Sequence, residues 1–165
     1  MATTIIIPRR VAERVHREAE KLGISVEEYL LELLTQNLDP LDKALEYIDI
    51  SRELLEEANK ELEKGNIRRA AEKTWGATAL AIKAYAYHKE QRRLESHADL
   101  WRYKDVVAQD LGEWIADVFR QACSMHTCFY EGWCTEKDVG KVLSLVEKLV
   151  LAIMENIKRE TKVEN

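Results

Sequence analysis

The sequence predicts an all-α protein, and three observations support that prediction. Alanine, leucine, glutamate, lysine and arginine dominate the 165 residues, all of which suit helices. The chain has six glycines and two prolines, so few positions interrupt a helix. Apolar residues recur at three- and four-residue spacing over most of the chain, which is the period of an amphipathic helix. This length fits one domain, or a small domain joined to a modest one.

The first 38 residues are predicted to form a short extended arm and two helices. β-branched residues fill the arm as far as Pro8, and proline suits the first turn of a helix over residues 8–22. Gly23 ends that helix, and a second helix follows at once. Pro40 marks a boundary because proline disfavours a helical conformation at the residue before it.

From residue 41 the helical segments become longer. Their predicted ranges are 41–64, 67–90, 97–107, 110–130 and 136–159. The second of these is apolar on nearly all sides between Trp75 and Tyr87, which is typical of a central buried helix. The pattern therefore predicts a second unit over residues 41–160, joined to the N-terminal unit of residues 1–38.

The order of strand, helix, tight turn and helix in residues 1–38 resembles a ribbon-helix-helix unit. In that family two chains pair their strands, because a lone strand leaves its backbone groups unpaired, so the resemblance implies dimerisation. DNA-binding members offer polar or basic side chains to the major groove. Here alternation places Ile6 on one face and Ile5 and Ile7 on the other. An arm and two helices packed on the main bundle are the alternative.

Several sequence blocks carry a second resemblance. They are GNIRRAAEKTWGA at 65–77, AIKAY at 81–85, SH at 96–97 and HTCFYEGW at 126–133. With these blocks the chain resembles the HEPN superfamily (higher eukaryotes and prokaryotes nucleotide-binding) and, within it, the archaeal PaREP family. The resemblance implies an antiparallel bundle of four or five helices that dimerises. The superfamily includes metal-independent RNases of toxin systems, and members that bind only nucleotides or partner proteins.

Catalytic HEPN proteins carry an arginine, four to six residues, and then a histidine, and Arg120 and His126 match that motif. The resemblance implies RNA cleavage through the 2′-hydroxyl, in which His126 moves a proton and Arg120 stabilises phosphate charge without a metal or cofactor. Six residues of an unbroken helix separate the two by about 120° and about 9 Å, so a twofold-related pair of helices is needed to bring them together. The alternatives are a His126 packed beside Met125 and Phe129 and a surface Arg120 paired with Asp117.

A basic stretch lies between residues 83 and 104, with six basic and three acidic side chains in a chain of net charge -5. It is the best candidate for a phosphate-binding surface, and a solvated charged loop is the alternative. The side chains predicted to bind nucleic acid are Lys89, Arg92, Arg93, Arg102, Lys104 and Tyr130. His97 follows a predicted helix cap and is interpreted as structural. Trp101 could stack on a base, but aromatics at helical spacing usually belong to the core.

Three cysteines lie close together at positions 123, 128 and 134. An odd number is not typical of a disulfide framework, and the spacing lacks the paired two-residue intervals of zinc modules. We therefore expect small buried thiols, no metal site and a reducing cytoplasm. No apolar run approaches the roughly 18 residues of a membrane span.

The predicted function is RNA or nucleotide binding by a homodimer, with metal-independent RNA cleavage in a toxin or defence system as the candidate activity. RNA, an antitoxin and a nucleotidyltransferase are the candidate partners. One alternative is a non-catalytic interaction module that partners a nucleotidyltransferase. The other is a DNA-binding autoregulator that acts through the N-terminal segment.

Overall fold

The computed structural model describes residues 3–163, and all regular structure in that range is helical. The chain divides after Asp39 into two compact units. The first unit contains α1 and α2, and the second contains α3 to α7. The helices are α1 (Arg9–Leu22), α2 (Val26–Leu34), α3 (Pro40–Glu63), α4 (Ile67–Glu90), α5 (His97–Leu111), α6 (Trp114–Glu131) and α7 (Glu136–Val163).

The N-terminal arm does not form the predicted strand. Residues 3–8 have no regular secondary structure, and the side chains of Ile5 and Ile6 are 80% and 94% exposed. A β-strand satisfies its backbone N–H and C=O groups by pairing with a neighbour, and a single chain supplies none here. The strand was therefore predicted wrongly for one chain, whereas α1 and α2 form within the predicted segment.

Helix α4 is the centre of the second unit, as its apolar sequence predicts. It packs against α3, α5, α6 and α7. Its alanines let neighbouring helices approach closely, and Ala77, Ala81 and Ala84 are fully buried. Ser51 of α3 donates a hydrogen bond to the carbonyl oxygen of Ala77 at 2.7 Å, which satisfies a buried hydroxyl between the two helices. This framework fixes the faces that α5 and α6 present to α4.

The break between α5 and α6 lies later than the sequence predicted. Helix α5 continues to Leu111 instead of ending near residue 107, and α6 begins at Trp114 instead of residue 110. Gly112 sets the break, because its φ of 117° is a backbone conformation that residues with a side chain rarely adopt. A Cβ atom at this position would also lie 2.9 Å from Cδ1 of Trp114. The apolar spacing continues across the break and so did not reveal it.

The end of α6 corrects the prediction of three free thiols. Gly132 follows the helix with a φ of 71° and turns the chain back. That turn brings Cys134 beside Cys128, with 5.7 Å between their Cα atoms, and the two form a disulfide. Cys123 is the remaining free cysteine, and burial raises the pKa of its thiol to about 11. Within residues 3–163, no helix is both long enough and apolar enough to cross a bilayer.

Reduction of this disulfide is expected to lower the free energy of unfolding by about 2 kcal/mol, because the bond closes a short loop in the unfolded chain. Urea denaturation with and without a reductant measures the difference. The Cys134→Ser variant should already have the lower stability and should not respond to the reductant. The Cys123→Ser variant is the control and should respond as the natural chain does. Equal stability of the natural chain in both conditions would contradict the prediction.

Candidate functional site

One face of α6 carries the candidate site. Phe119, Cys123, His126 and Tyr130 follow one another at helical spacing and therefore lie along one stripe. Phe119, the first residue of this stripe, packs on Trp75 of α4, and their ring centroids are 5.7 Å apart. The α6 stripe thus meets α4 and α5 where aromatic side chains converge.

His126 lies half-buried at the centre of that convergence. Its ring centroid is 5.2 Å from His97 of α5, 5.8 Å from Trp75 and 5.1 Å from Tyr130. The sequence offered packing beside Met125 and Phe129 as the alternative environment of His126. These ring contacts are instead with α4, α5 and its own helix, while Met125 is buried in the core.

The surroundings of His126 favour its neutral form. Burial lowers the pKa of this imidazole below its usual value of 6.5, and the nearby charge of His97 lowers it further. A neutral imidazole can accept a proton at pH 7, which is what a general base requires.

His97 is the functional candidate that sequence reasoning missed. It begins α5 immediately after Ser96, whose hydroxyl accepts a hydrogen bond from the backbone N–H of Asp99 at 3.1 Å. The ring of His97 meets Trp75 edge to face, with centroids 4.9 Å apart. A signal was available, because His97 and Trp101 lie four residues apart and so share one face of a helix. The contact with His126 crosses between helices and has no sequence signal.

A cavity of about 410 Å³ opens beside the two histidines. Trp101 and Phe119 form one wall, with ring centroids 5.6 Å apart. Aromatic side chains dominate its lining, and Arg102 is its one residue with a permanent positive charge. The lining residues are Trp75, His97, Ala98, Trp101, Arg102, Phe119 and Cys123.

Arg120 does not join His126 within one chain. Helix α6 is unbroken between them, so the two side chains differ by about 120° around its axis and about 9 Å along it. Arg120 is half-exposed and donates a hydrogen bond to the carboxylate of Asp117 at 2.8 Å. This is the surface ion pair that the sequence offered as the alternative, and in solvent such a pair contributes little stability.

The predicted phosphate-binding side chains are spread over different environments. Lys89 forms an ion pair with Asp110 at 3.3 Å, and Arg93 forms one with Glu95 at 3.5 Å. The guanidinium of Arg92 lies over a tyrosine ring. These three surround the connection between α4 and α5 and do not line the cavity.

Of the other three predicted residues, one lines the cavity, one is buried beside Trp101 and one lies beside His126. Lys104 is only 2% exposed, so it is not part of the surface that the sequence predicted. It forms an ion pair with Asp105 at 2.8 Å and lies 5.1 Å from the ring centroid of Trp101. Arg102 lines the cavity itself, and the exposed Tyr130 contacts His126. Arg102 and Tyr130 therefore remain candidates for contact with a ligand.

Arg68 of α4 fixes the end of α6 that bears Tyr130. Its guanidinium donates to the carbonyl oxygens of Phe129 at 2.8 Å and Tyr130 at 2.5 Å. These carbonyls have no partner inside the helix, because they belong to its last turn. Sequence reasoning assigned Arg68 no role, since a contact over 61 residues leaves no local pattern.

The sequence profile of the archaeal PaREP1/PaREP8 family matches residues 46–150, which is more than half of the chain. The chain belongs to this family. The PaREP match includes α4, α5 and α6 completely, and so contains both histidines and every lining residue of the cavity. The residues of α1 and α2 lie outside it.

A solved structure has a fold similar to that of this PaREP chain. It is the crystal structure of a protein from Sulfolobus solfataricus, which is 26% identical and aligns with a TM-score of 0.58. The alignment covers 64% of this chain and 93% of the Sulfolobus protein. No curated protein matches the chain.

The cysteines and histidines of this PaREP protein do not gather into a metal centre. In the part of the chain that the structure describes, no group of three His, Cys, Asp or Glu side chains could hold a metal ion. Cys128 and Cys134 use their sulfur atoms in the disulfide. The site itself brings together two imidazoles and several aromatic rings.

Proposed function

We propose that this PaREP protein is a HEPN-type homodimer that binds RNA and cleaves it by a mechanism that needs no metal ion. The observation that supports this most strongly is the pair of imidazoles, His97 and His126, at the edge of an aromatic cavity. Two adjacent imidazoles can divide the tasks of base and acid, because a charge on one disfavours a charge on the other.

The proposed reaction begins at the 2′-hydroxyl of the RNA. Neutral His126 accepts the hydroxyl proton, and the 2′-oxygen forms a bond to the neighbouring phosphorus. The bond from phosphorus to the 5′-oxygen breaks, and the imidazole of His97 acts as the general acid that gives a proton to that leaving oxygen. The products are a 2′,3′-cyclic phosphate and a 5′-hydroxyl. Electrons and protons balance without an oxidant, a reductant or a metal.

A guanidinium would stabilise the charge that builds on the phosphate, and Arg120 is the arginine that the motif pairs with His126. Arg120 is about 9 Å farther along α6, on a different side of the helix. In a twofold dimer formed through α6, Arg120 of one protomer would approach His126 of the other, and the symmetry of the interface would repeat the contact at a second site. The guanidinium can then donate two hydrogen bonds to the phosphate oxygens. We therefore propose that two copies complete each site.

Incubation of the purified protein with single-stranded RNA, with and without EDTA, tests this function. We expect cleavage in both conditions and fragments that end in a 2′,3′-cyclic phosphate. If the protein binds the RNA but does not cleave it, the proposal that it is an enzyme is contradicted and only its RNA binding is supported. Cleavage that EDTA abolishes would contradict the metal-independent mechanism.

The pKa of His126 can be tested apart from catalysis. In a chemical-shift titration of the histidine rings, we expect His126 to titrate below 6.5, because burial and then the charge of His97 both oppose its protonation. The His97→Gln variant removes the second cause, so the inflection should move upward. The unfolded chain protonates His126 more readily than the folded chain does. The contribution of the neutral imidazole to the free energy of unfolding is therefore complete above about pH 6.5 and is lost as the pH falls below that value.

The control for that titration is His16→Gln, which changes an exposed histidine of α1 in the other unit. It should leave the His126 inflection unchanged. An inflection of His126 at or above 6.5 in the natural chain would show that the site does not favour the neutral imidazole.

A further inference from the structure

The aromatic cavity has the size and lining of a ligand site. Its volume of about 410 Å³ lies within the roughly 300–1,000 Å³ of small-molecule pockets. Trp101 is 47% exposed at its wall, although tryptophan is highly buried on average. An exposed indole in a concave surface favours a flat apolar ligand that can stack on it.

The charges around the cavity favour a ligand that also carries negative charge. Arg102 lines the cavity, whereas the ammonium group of Lys104 is buried beside Trp101 and is already paired with Asp105. None of the seven lining residues is a carboxylate. Arg102 is exposed, so its guanidinium is available to pair with an anionic group of a ligand. A nucleotide has both features, since its base is planar and its phosphate is anionic.

The cavity is also continuous with the proposed reaction centre. His97 belongs to the lining, and its ring is 5.2 Å from that of His126. Trp75 contacts both histidine rings and also Phe119, so one layer of rings joins the two places. A base held in the cavity would bring its own ribose and phosphate to the imidazoles.

We propose that this cavity is a subsite for one unpaired base of single-stranded RNA, stacked on Trp101, next to the phosphodiester at His97 and His126. The proposal deepens the proposed function and rests on it, because it names the substrate as unpaired RNA. A base in a duplex is stacked and paired with its neighbours and cannot enter, whereas a single strand can turn one base outward. Stacking also makes the subsite tolerant of base identity, because every base has a π-face.

Replacement of one base by an abasic residue tests the subsite with the natural protein. Fluorescence anisotropy of a labelled RNA in which cleavage is blocked by a 2′-deoxy residue measures the affinity. We expect an abasic residue on one side of the blocked position to weaken binding by about 5- to 100-fold, the range for loss of one stacked base. Abasic residues several positions away should have little effect. Equal binding of all these RNAs would overturn the subsite while leaving RNA binding and cleavage intact.

A double-mutant cycle, with one change in the protein and one in the RNA, then identifies the side chain on which the base stacks. Trp101→Ala should weaken binding of intact RNA by a similar factor but leave binding of the abasic RNA unchanged, since the contact is already missing. Trp101→Phe keeps a ring and should retain most of the affinity. The control is Leu151→Ala, which removes another large exposed apolar side chain, on α7, and should have no effect.

The outcomes separate the two proposals. Equal losses from Trp101→Ala on intact and abasic RNA would show that no base contacts this indole, and would overturn the subsite alone. If the natural protein binds no single-stranded RNA, or binds duplex RNA as tightly, the subsite is also overturned. Cleavage that continues without any base dependence would leave the proposed function standing by itself.

Discussion

Replacement of His126 by glutamine is expected to slow RNA cleavage by about 10²- to 10⁴-fold, the usual contribution of a general acid or base. Glutamine fills much of the space of the imidazole between His97 and Tyr130 but cannot accept the hydroxyl proton. RNA affinity should change little, because the ribose and base contacts remain. Initial rates at saturating RNA measure the effect.

Two comparisons make the His126 result specific. His16→Gln, on the exposed surface of α1, should leave the rate unchanged. Thermal unfolding of His126→Gln should resemble that of the natural chain, because the ring is only half-buried. A His126→Gln protein that folds and still cuts RNA within about twofold of the natural rate would reject His126 as the proton-transfer residue.

Replacement of Arg120 by alanine is expected to slow cleavage by about 10²- to 10³-fold, as removal of one group that stabilises transition-state charge does in other enzymes. Its present partner is the exposed carboxylate of Asp117, so the change should cost little stability. Arg120→Lys should recover only part of the rate, because an ammonium group lacks the planar fork of a guanidinium. Arg159→Ala, at an exposed position of α7, is the control and should act as the natural chain does.

The sequence predicted most of the helices because their ends carry strong local signals. Gly23 ends α1 in a left-handed conformation with a φ of 67°, and the turn at Gly65 has a φ of 77°. The buried character of α4 followed from its apolar sequence. The end of α5 was misplaced because the apolar spacing runs through Gly112 without a visible change. The arm was predicted as a strand because its composition favours one, but the pairing that stabilises a strand comes from outside the chain.

The candidate site could be predicted only in part. The motif singled out Arg120 and His126, and the helical period correctly placed them on different sides of α6. The second imidazole, the cavity and the role of Arg68 depend on contacts between helices far apart in sequence. The disulfide was missed for the same kind of reason, because it needs the turn at Gly132 to bring two thiols together. The residue types indicated proton transfer and phosphate binding, but only tertiary packing determines which of these side chains lie together in one site.

Two protomers are proposed to supply different parts of one site, and mixing two inactive variants shows whether they do. Arg120→Ala and His126→Gln chains are refolded together so that protomers exchange. Half of the dimers are then mixed, and each mixed dimer has one site with both natural side chains, so about a quarter of the natural activity should return. Activity no greater than that of either variant alone, or a solution mass of a single chain, would contradict the account.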